Sequence, residues 1–245
     1  MSYTITAVAS PAEGGVIEDP VAAFNGEEIF YEGETCTLTA TANEDYNFVH
    51  WTEDGNVVGT EATISFVVEG NRNLVANFEP ATVVQTVNLV QGWNWWAPTV
   101  DATLTDLETA IETAVGAGNF TLTTMENGPV ESLELGQMYK IKIETPEGEG
   151  CTFDLTGFVP SPVTVTFNTG FNTFGYIGTE DTIEEALNGI TPEGFTPSEG
   201  DLINSFDEGF ARYEVDGEGN GSWIGTLTTL LPGHGYVYVR VGTAQ

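Results

Sequence analysis

Apolar and polar residues alternate with period two through the first eighty positions of the chain. Residues 3–9 (YTITAVA), 34–42 (ETCTLTATA), 46–51 (YNFVHW), 62–68 (ATISFVV) and 73–78 (NLVANF) are rich in Thr, Val, Phe and Tyr, and Gly14-Gly15, Glu32-Gly33, Asp54-Gly55 and Gly70-Asn71 punctuate them. Strict alternation bounded by turn residues predicts antiparallel strands joined by hairpins, and no helical window interrupts the run. Glu79-Pro80-Ala81-Thr82 then reads as a short linker, Pro80 ending the last strand because it has no N–H to donate to a ladder.

Beyond this point the period changes twice from 2 to 3.6. Over 101–115, Leu104, Leu107, Ile111 and Val115 fall on one helical face, Thr103 is placed to cap, and Gly116 ends the element. Over 181–189, Ile183, Ala186, Leu187 and Ile190 form a second stripe, and Thr182 with Glu185 has capping-box spacing. Each helix is preceded by versions of one motif, VNLVQGWNWWAP at 87–98 and VTFNTGFNTFGY at 165–176. Val87 matches Val165, Gly92 matches Gly170, Trp93 matches Phe171, Asn94 matches Asn172 and Trp96 matches Phe174, at a constant offset of 78.

Self-similarity at a fixed spacing marks a duplicated module. Module A spans 83–157, with strands expected at 119–125 and 137–144. Module B spans 158–245, with strands expected at 201–206, 210–215, 222–228 and 235–241. Module B also carries a hairpin, FARYEVDGEGNGSWIGTL, that module A shortens to a turn at Asn127-Gly128-Pro129. The expected fold is mainly β: an all-β N-terminal domain over 1–80, followed by two tandem β-rich modules with one short α-helix each.

Charge narrows the choice of partners. Among 245 residues, 37 acids face 5 bases, for a formal net charge of −32. The excess is even: 14 acids and 1 base over 1–80, 11 and 2 over 81–157, and 12 and 2 over 158–245. Every domain therefore presents an acidic surface, which repels phosphate backbones and anionic lipid; neither nucleic acid nor a membrane surface is an expected partner. No run of 18 apolar residues spans a membrane, and the start, MSYTITAVAS, reads as a strand and not as an export signal. The two cysteines, Cys36 and Cys151, fall in different expected domains, so two buried thiols are favoured over a disulfide.

Two stretches resemble known families. The order SPAEGG, then EGETCTLTATANEDYNFVHWTEDG, then a strand ending LVANFEP, over residues 3–80, resembles the divergent internalin-type B-repeat of bacterial cell-surface proteins. The family's usual Gly-Trp-Thr stands here as His50-Trp51-Thr52. The resemblance implies an extracellular β-domain of β-grasp type that spaces or binds without catalysis. In module B, Gly170-Phe171-Asn172, Phe210 to Tyr213, Trp223 and the closing Leu231 to Tyr236 resemble the "GWN … PGxGY" module of large secreted bacterial, phage and marine proteins; module A departs at its end, where Gly136-Gln137-Met138-Tyr139 lacks the proline and second glycine.

Few residues suggest chemistry. Trp93 and Trp96 are aromatic in both copies and read as core anchors, whereas Trp95 becomes Thr173 and is the best candidate for an aromatic that stacks on a sugar or a partner. The competing reading for Trp95 is packing between the modules. Asp216-Gly217-Glu218-Gly219-Asn220-Gly221 alternates oxygen ligands with glycine, but Leu227 stands where an EF-hand needs its bidentate acid. The stretch reads first as a Gly-rich hairpin tip and second as an irregular Ca²⁺ site built from Asp216, Glu218 and Asn220; no other cofactor is expected.

The two histidines, His50 and His234, lack neighbours at metal-binding spacing, no Gly-x-Ser-x-Gly occurs, and the GEGNG glycines lie in a hairpin and not before a helix. No catalytic residue is expected. The sequence thus points to a non-catalytic structural or adhesive protein on an extracellular surface, partnered by other surface or virion proteins. The settings are a bacterial adhesin segment or a phage decoration or fibre protein. The alternative is a carbohydrate-binding module using exposed aromatics such as Trp95.

Overall fold

The computed structural model describes residues 1–18, 28–146 and 148–242. The chain divides into two compact units, Met1–Thr82 and Val83–Gln245. None of its helices, among the described residues, is long and apolar enough to cross a membrane.

The first unit contains β1 (Ser2–Ser10), β2 (Gly15–Glu18), β3 (Glu28–Tyr31), β4 (Thr35–Ala42), β5 (Tyr46–Glu53), β6 (Asn56–Gly59), β7 (Thr63–Val67) and β8 (Arg72–Pro80). They form two sheets, ordered β3-β1-β8-β5-β6 and β2-β4-β7. Period-two alternation gives each sheet one apolar face. Cys36, Leu38 and Ala40 of β4 meet Ile5, Trp51, Leu74, Ala76 and Phe78 of the larger sheet in a single buried layer. The five long strands lie where the alternation predicts them; the short β2, β3 and β6 carry too few residues to show a period. The hairpin expectation is corrected: among the described strands of this unit only β5 and β6 pair as chain neighbours. The pairs β1–β3, β2–β4, β4–β7 and β5–β8 are antiparallel but skip one or more strands, and β1 and β8 run parallel, Ile5 opposite Arg72 through Ser10 opposite Asn77. Hairpin logic governs consecutive strands only, and these are the first and last of the unit.

The second unit holds both modules. Module A comprises β9 (Thr82–Leu89), β10 (Gly92–Trp96), α1 (Leu104–Val115), β11 (Phe120–Thr124), β12 (Tyr139–Ile143) and β13 (Cys151–Phe158). Module B comprises β14 (Gly170–Gly175), β15 (Asp181–Thr182), α2 (Ile183–Ile190), β16 (Leu202–Ser205), β17 (Phe210–Val215), β18 (Gly221–Gly225), β19 (Thr229–Leu230) and β20 (Gly235–Arg240). Both helices open on the expected threonines with full capping boxes, Thr103 with Asp106 and Thr182 with Glu185. They begin two or three residues later than the periodicity suggests. Asp101 is held in an isolated bridge to Phe158, and Asp181 pairs with Leu230 in a short strand.

The modules share one sheet plan. In A the order is β10-β12-β11; in B it is β14-β20-β16, extended by β17 and β18. Every pairing in both sheets is antiparallel. In A the inner face is covered by α1, through Leu107 and Ile111, and by the β9–β13 ribbon, through Val87, Leu89, Phe153 and Leu155. In B the cover is α2, through Ile183, Ala186, Leu187 and Ile190, together with Phe167, whose ring stacks on Tyr238 at 4.3 Å.

Candidate functional site

The motif strands show how each module is pinned. Asn94, on β10, is buried, and its Nδ2 donates to the carbonyls of Val90 (2.9 Å), Gly92 (3.1 Å) and Ile141 (3.3 Å), while its Oδ1 accepts the Val90 N–H at 2.9 Å. Asn172 repeats all four bonds, to Asn168 (2.7 and 2.8 Å), Gly170 (3.0 Å) and Tyr238 (3.2 Å). Each asparagine staples the turn before its strand to the neighbouring strand. The turn requires Gly92 and Gly170 at φ of +90° and +100°, where a side chain is strained. The shared motif is therefore a turn-and-clamp device, and its conserved spacing is structural.

Strand alternation decides the tryptophans. Asn94 and Trp96 point inward, Trp96 being 3% exposed and its counterpart Phe174 fully buried. Trp93 and Phe171 point outward, at 38% and 84% exposed, so the expectation that this position anchors the core is corrected. With Asn94 and Trp96 turned to the interior, the alternate positions of the strand, Trp93 and Trp95, face out. Trp93 lies beside Lys140 and Lys142, whose ammonium groups sit 5.5 and 5.9 Å from its ring centroid. These are the only two lysines in the sequence. Pairing across β10, β12 and β11 puts Trp93, Lys142 and Thr121 in one row and Trp95, Lys140 and Thr123 in the next.

The modules meet about a pseudo-twofold axis. The Ala97 N–H donates to the Gly233 carbonyl at 2.9 Å, and the Gly175 N–H donates to the Gly136 carbonyl at 2.8 Å. Ala97 and Gly175 are equivalent in the repeat, as are Gly136 and Gly233, so the exchange is reciprocal. Gly136 and Gly233 each lie three residues before a buried tyrosine. Tyr139 Oη accepts from the Glu134 N–H at 2.7 Å and donates to the Ser132 carbonyl. Tyr236 Oη accepts from the Leu231 N–H at 2.7 Å and donates to Glu208 Oε2 at 3.2 Å. Burial pushes both phenols above their ordinary range; the N–H bonds from Glu134 and Leu231 partly offset this, and the Glu208 carboxylate adds to the rise at Tyr236.

Close approach at the axis admits no extra atoms: a Cβ on Gly175 would overlap the Ala97 Cβ and lie 2.5 Å from the Gln137 carbonyl oxygen. Gly175→Ala is therefore expected to cost about 2 kcal/mol. A urea titration of the full chain checks this, and a loss below about 0.5 kcal/mol would show that the contact yields freely.

Two clefts flank this axis. On one side, Trp95 of module A packs on Phe206 of module B, ring centroids 5.4 Å apart. The space left there is about 100 Å³ and is also lined by Trp96, Asp207 and His234. The ligating atoms of Asp207, Glu208 and His234 lie within 4.8 Å of one another, with His234 Nδ1 3.6 Å from Glu208 Oε1. The set offers one imidazole and two carboxylates, a donor mixture better suited to a first-row divalent metal than to Ca²⁺. Sequence spacing missed it because strand pairing, and not local sequence, brings His234 back to the Asp207-Glu208 turn. On the other side, Thr173 replaces the tryptophan, and a cleft of about 450 Å³ opens against Met125, Glu131, Met138 and Tyr139.

The remaining candidates lie in the β17–β18 hairpin tip. Asp216 Oδ1 accepts the N–H groups of Glu218 (2.9 Å) and Asn220 (2.8 Å), and its Oδ2 accepts Asn220 Nδ2 at 3.2 Å. These backbone donors hold the Asp216 carboxyl below its usual range. The aspartate thus organises the turn that Asp216, Glu218 and Asn220 share.

The comparison with known families bears on the first unit. No curated protein and no solved structure matches the chain. Residues 3–82 match the family model of the divergent InlB B-repeat domain, which covers the first unit from its opening strand to its end, as the residue order SPAEGG through LVANFEP leads one to expect.

Proposed function

We propose that this chain is a non-catalytic structural or adhesive protein displayed on an extracellular surface, as a segment of a bacterial surface adhesin or as a decoration or fibre protein of a virion. The match of residues 3–82 to the divergent InlB B-repeat domain carries this reading, because that family suggests a bacterial surface-associated repeat protein. The duplicated second unit supports it, since its shared motif residues serve to pin turns and pack modules. The partners are other surface or virion proteins. Immunogold labelling of intact cells and of particles tests the proposal. Labelling of the outer surface without permeabilisation is the expected result, and label confined to lysed cells would overturn it.

A second reading, carbohydrate binding, is favoured by the outward row of Trp93, Lys142 and Thr121 beside Trp95, Lys140 and Thr123. An exposed indole gives a flat apolar face for a sugar, and two ammonium groups suit a sugar that carries a carboxylate. On a glycan array, Trp93→Ala is expected to lower the signal about tenfold while leaving the thermal midpoint in place. Trp95→Ala separates the roles of the neighbouring ring. Loss of stability with no glycan signal in the parent protein would assign Trp95 to packing on Phe206 alone.

A further inference from the structure

The two clefts at the module junction share equivalent positions in the repeat, and the largest side chain that separates them is one ring. Tyr139 pairs with Thr124 and Tyr236 with Ser205. That register makes Met125 the counterpart of Phe206 and Glu126 the counterpart of Asp207. The same alignment sets Gln137 against His234, and the motif offset sets Thr173 against Trp95. Where Trp95 is present, its indole lies over Phe206 and about 100 Å³ remains. Where Thr173 stands instead, about 450 Å³ is open, within the range of about 300–1,000 Å³ usual for ligand sites. The protein thus displays, on one side of its own axis, the kind of group that fills the vacancy on the other.

We propose that the open cleft captures an aromatic side chain of a partner protein that carries a Lys or Arg next to it. The lining favours the ring: Met125 presents a polarisable thioether, which makes favourable contacts with aromatic groups, and the Tyr139 ring is held in place by both hydrogen bonds of its hydroxyl. The rim favours the charge: Glu126, Glu131 and Glu134 line the opening, and no Lys or Arg does. A chain of net charge −32 also steers cationic segments toward itself. The Asp207-Glu208-His234 cluster of the other cleft has no counterpart here, since Gln137 stands in the place of His234, so the recognition is of ring and cation only. The proposal stands apart from the surface-display reading and from glycan binding at Trp93, which lies on the outward sheet face.

The test is calorimetric titration of the full chain with N-acetyl-Trp-Lys-amide, with N-acetyl-Trp-Glu-amide and N-acetyl-Ala-Lys-amide as controls. One equivalent of the Trp-Lys peptide is expected to bind, and each control about tenfold more weakly. Thr173→Trp supplies the ring from within; it is expected to weaken binding about tenfold without lowering the thermal midpoint. Glu131→Gln trims the acidic rim at an exposed position and is expected to lower the preference for the Trp-Lys over the Trp-Glu peptide about threefold. This decides the matter even if the Thr173 variant fails to fold, since an unchanged preference would overturn the proposal. Equal binding of the Trp-Glu peptide, undiminished binding by a folded Thr173→Trp protein, or no binding by the parent chain would overturn the proposal. Tryptamine binding more tightly than the peptide would overturn the assignment to a partner protein, in favour of a free aromatic amine.

Discussion

Replacing Trp51 with alanine is expected to lower the unfolding free energy of the first unit by about 4 kcal/mol. Trp51 is fully buried where β5 faces β4, its ring lies 6.0 Å from that of Phe48, and its Nε1 donates to the Ala62 carbonyl at 3.2 Å. Alanine removes the largest side chain of that core and leaves a carbonyl without its donor, so cavity and hydrogen-bond costs fall on the same site. A domain of this size holds on the order of 5–10 kcal/mol in total, so the variant stands close to unfolding at room temperature. Hydrogen exchange on the full chain reads the result directly. Amides of β4, β5 and β8 are expected to lose protection together, and a loss below about 1 kcal/mol would show that the two sheets do not depend on this ring.

Asn94→Ala is the second large effect, about 3 kcal/mol measured by urea titration. The side chain fills no great volume; its loss matters because the Val90 N–H and three carbonyls lose their partner at once. Asn172→Ala breaks the same four bonds at a less buried position, where water can replace more of them, and about half the cost is expected. Asn94→Asp separates shape from chemistry. A carboxylate keeps the size but has no hydrogen to give the carbonyls of Val90, Gly92 and Ile141, so it is expected to be at least as damaging as alanine. A near-neutral Asn94→Asp would show that the amide hydrogens do not hold the turn.

Much of this fold is legible in the sequence, and what is not legible has a physical cause. The alternation over the first eighty residues identifies the long strands, and the threonine caps at Thr103 and Thr182 place both helices to within a few residues, because these signals are local. Parallel pairing of β1 with β8 joins the ends of a unit and leaves no local trace. The repeat alignment identifies Trp96 as a core residue but misassigns Trp93, since an aromatic retained in both copies does not say which face it occupies. Burial of Asn94 beside it was the missing information. The junction is the least legible part. His234 meets Asp207 and Glu208 through the pairing of β16 with β20, and Trp95 meets Phe206 only because the two modules pack on each other.

The reciprocal bonds of Ala97 with Gly233 and of Gly175 with Gly136 have a consequence for how such a protein diverges. In a homodimer of separate chains every substitution is inherited by both halves, so a tryptophan that seals one cavity seals its twin. Once the halves are joined in one polypeptide, that obligation lapses. One half can close a door with Trp95 while the other leaves it ajar at Thr173, and a symmetric plan comes to present two unlike faces.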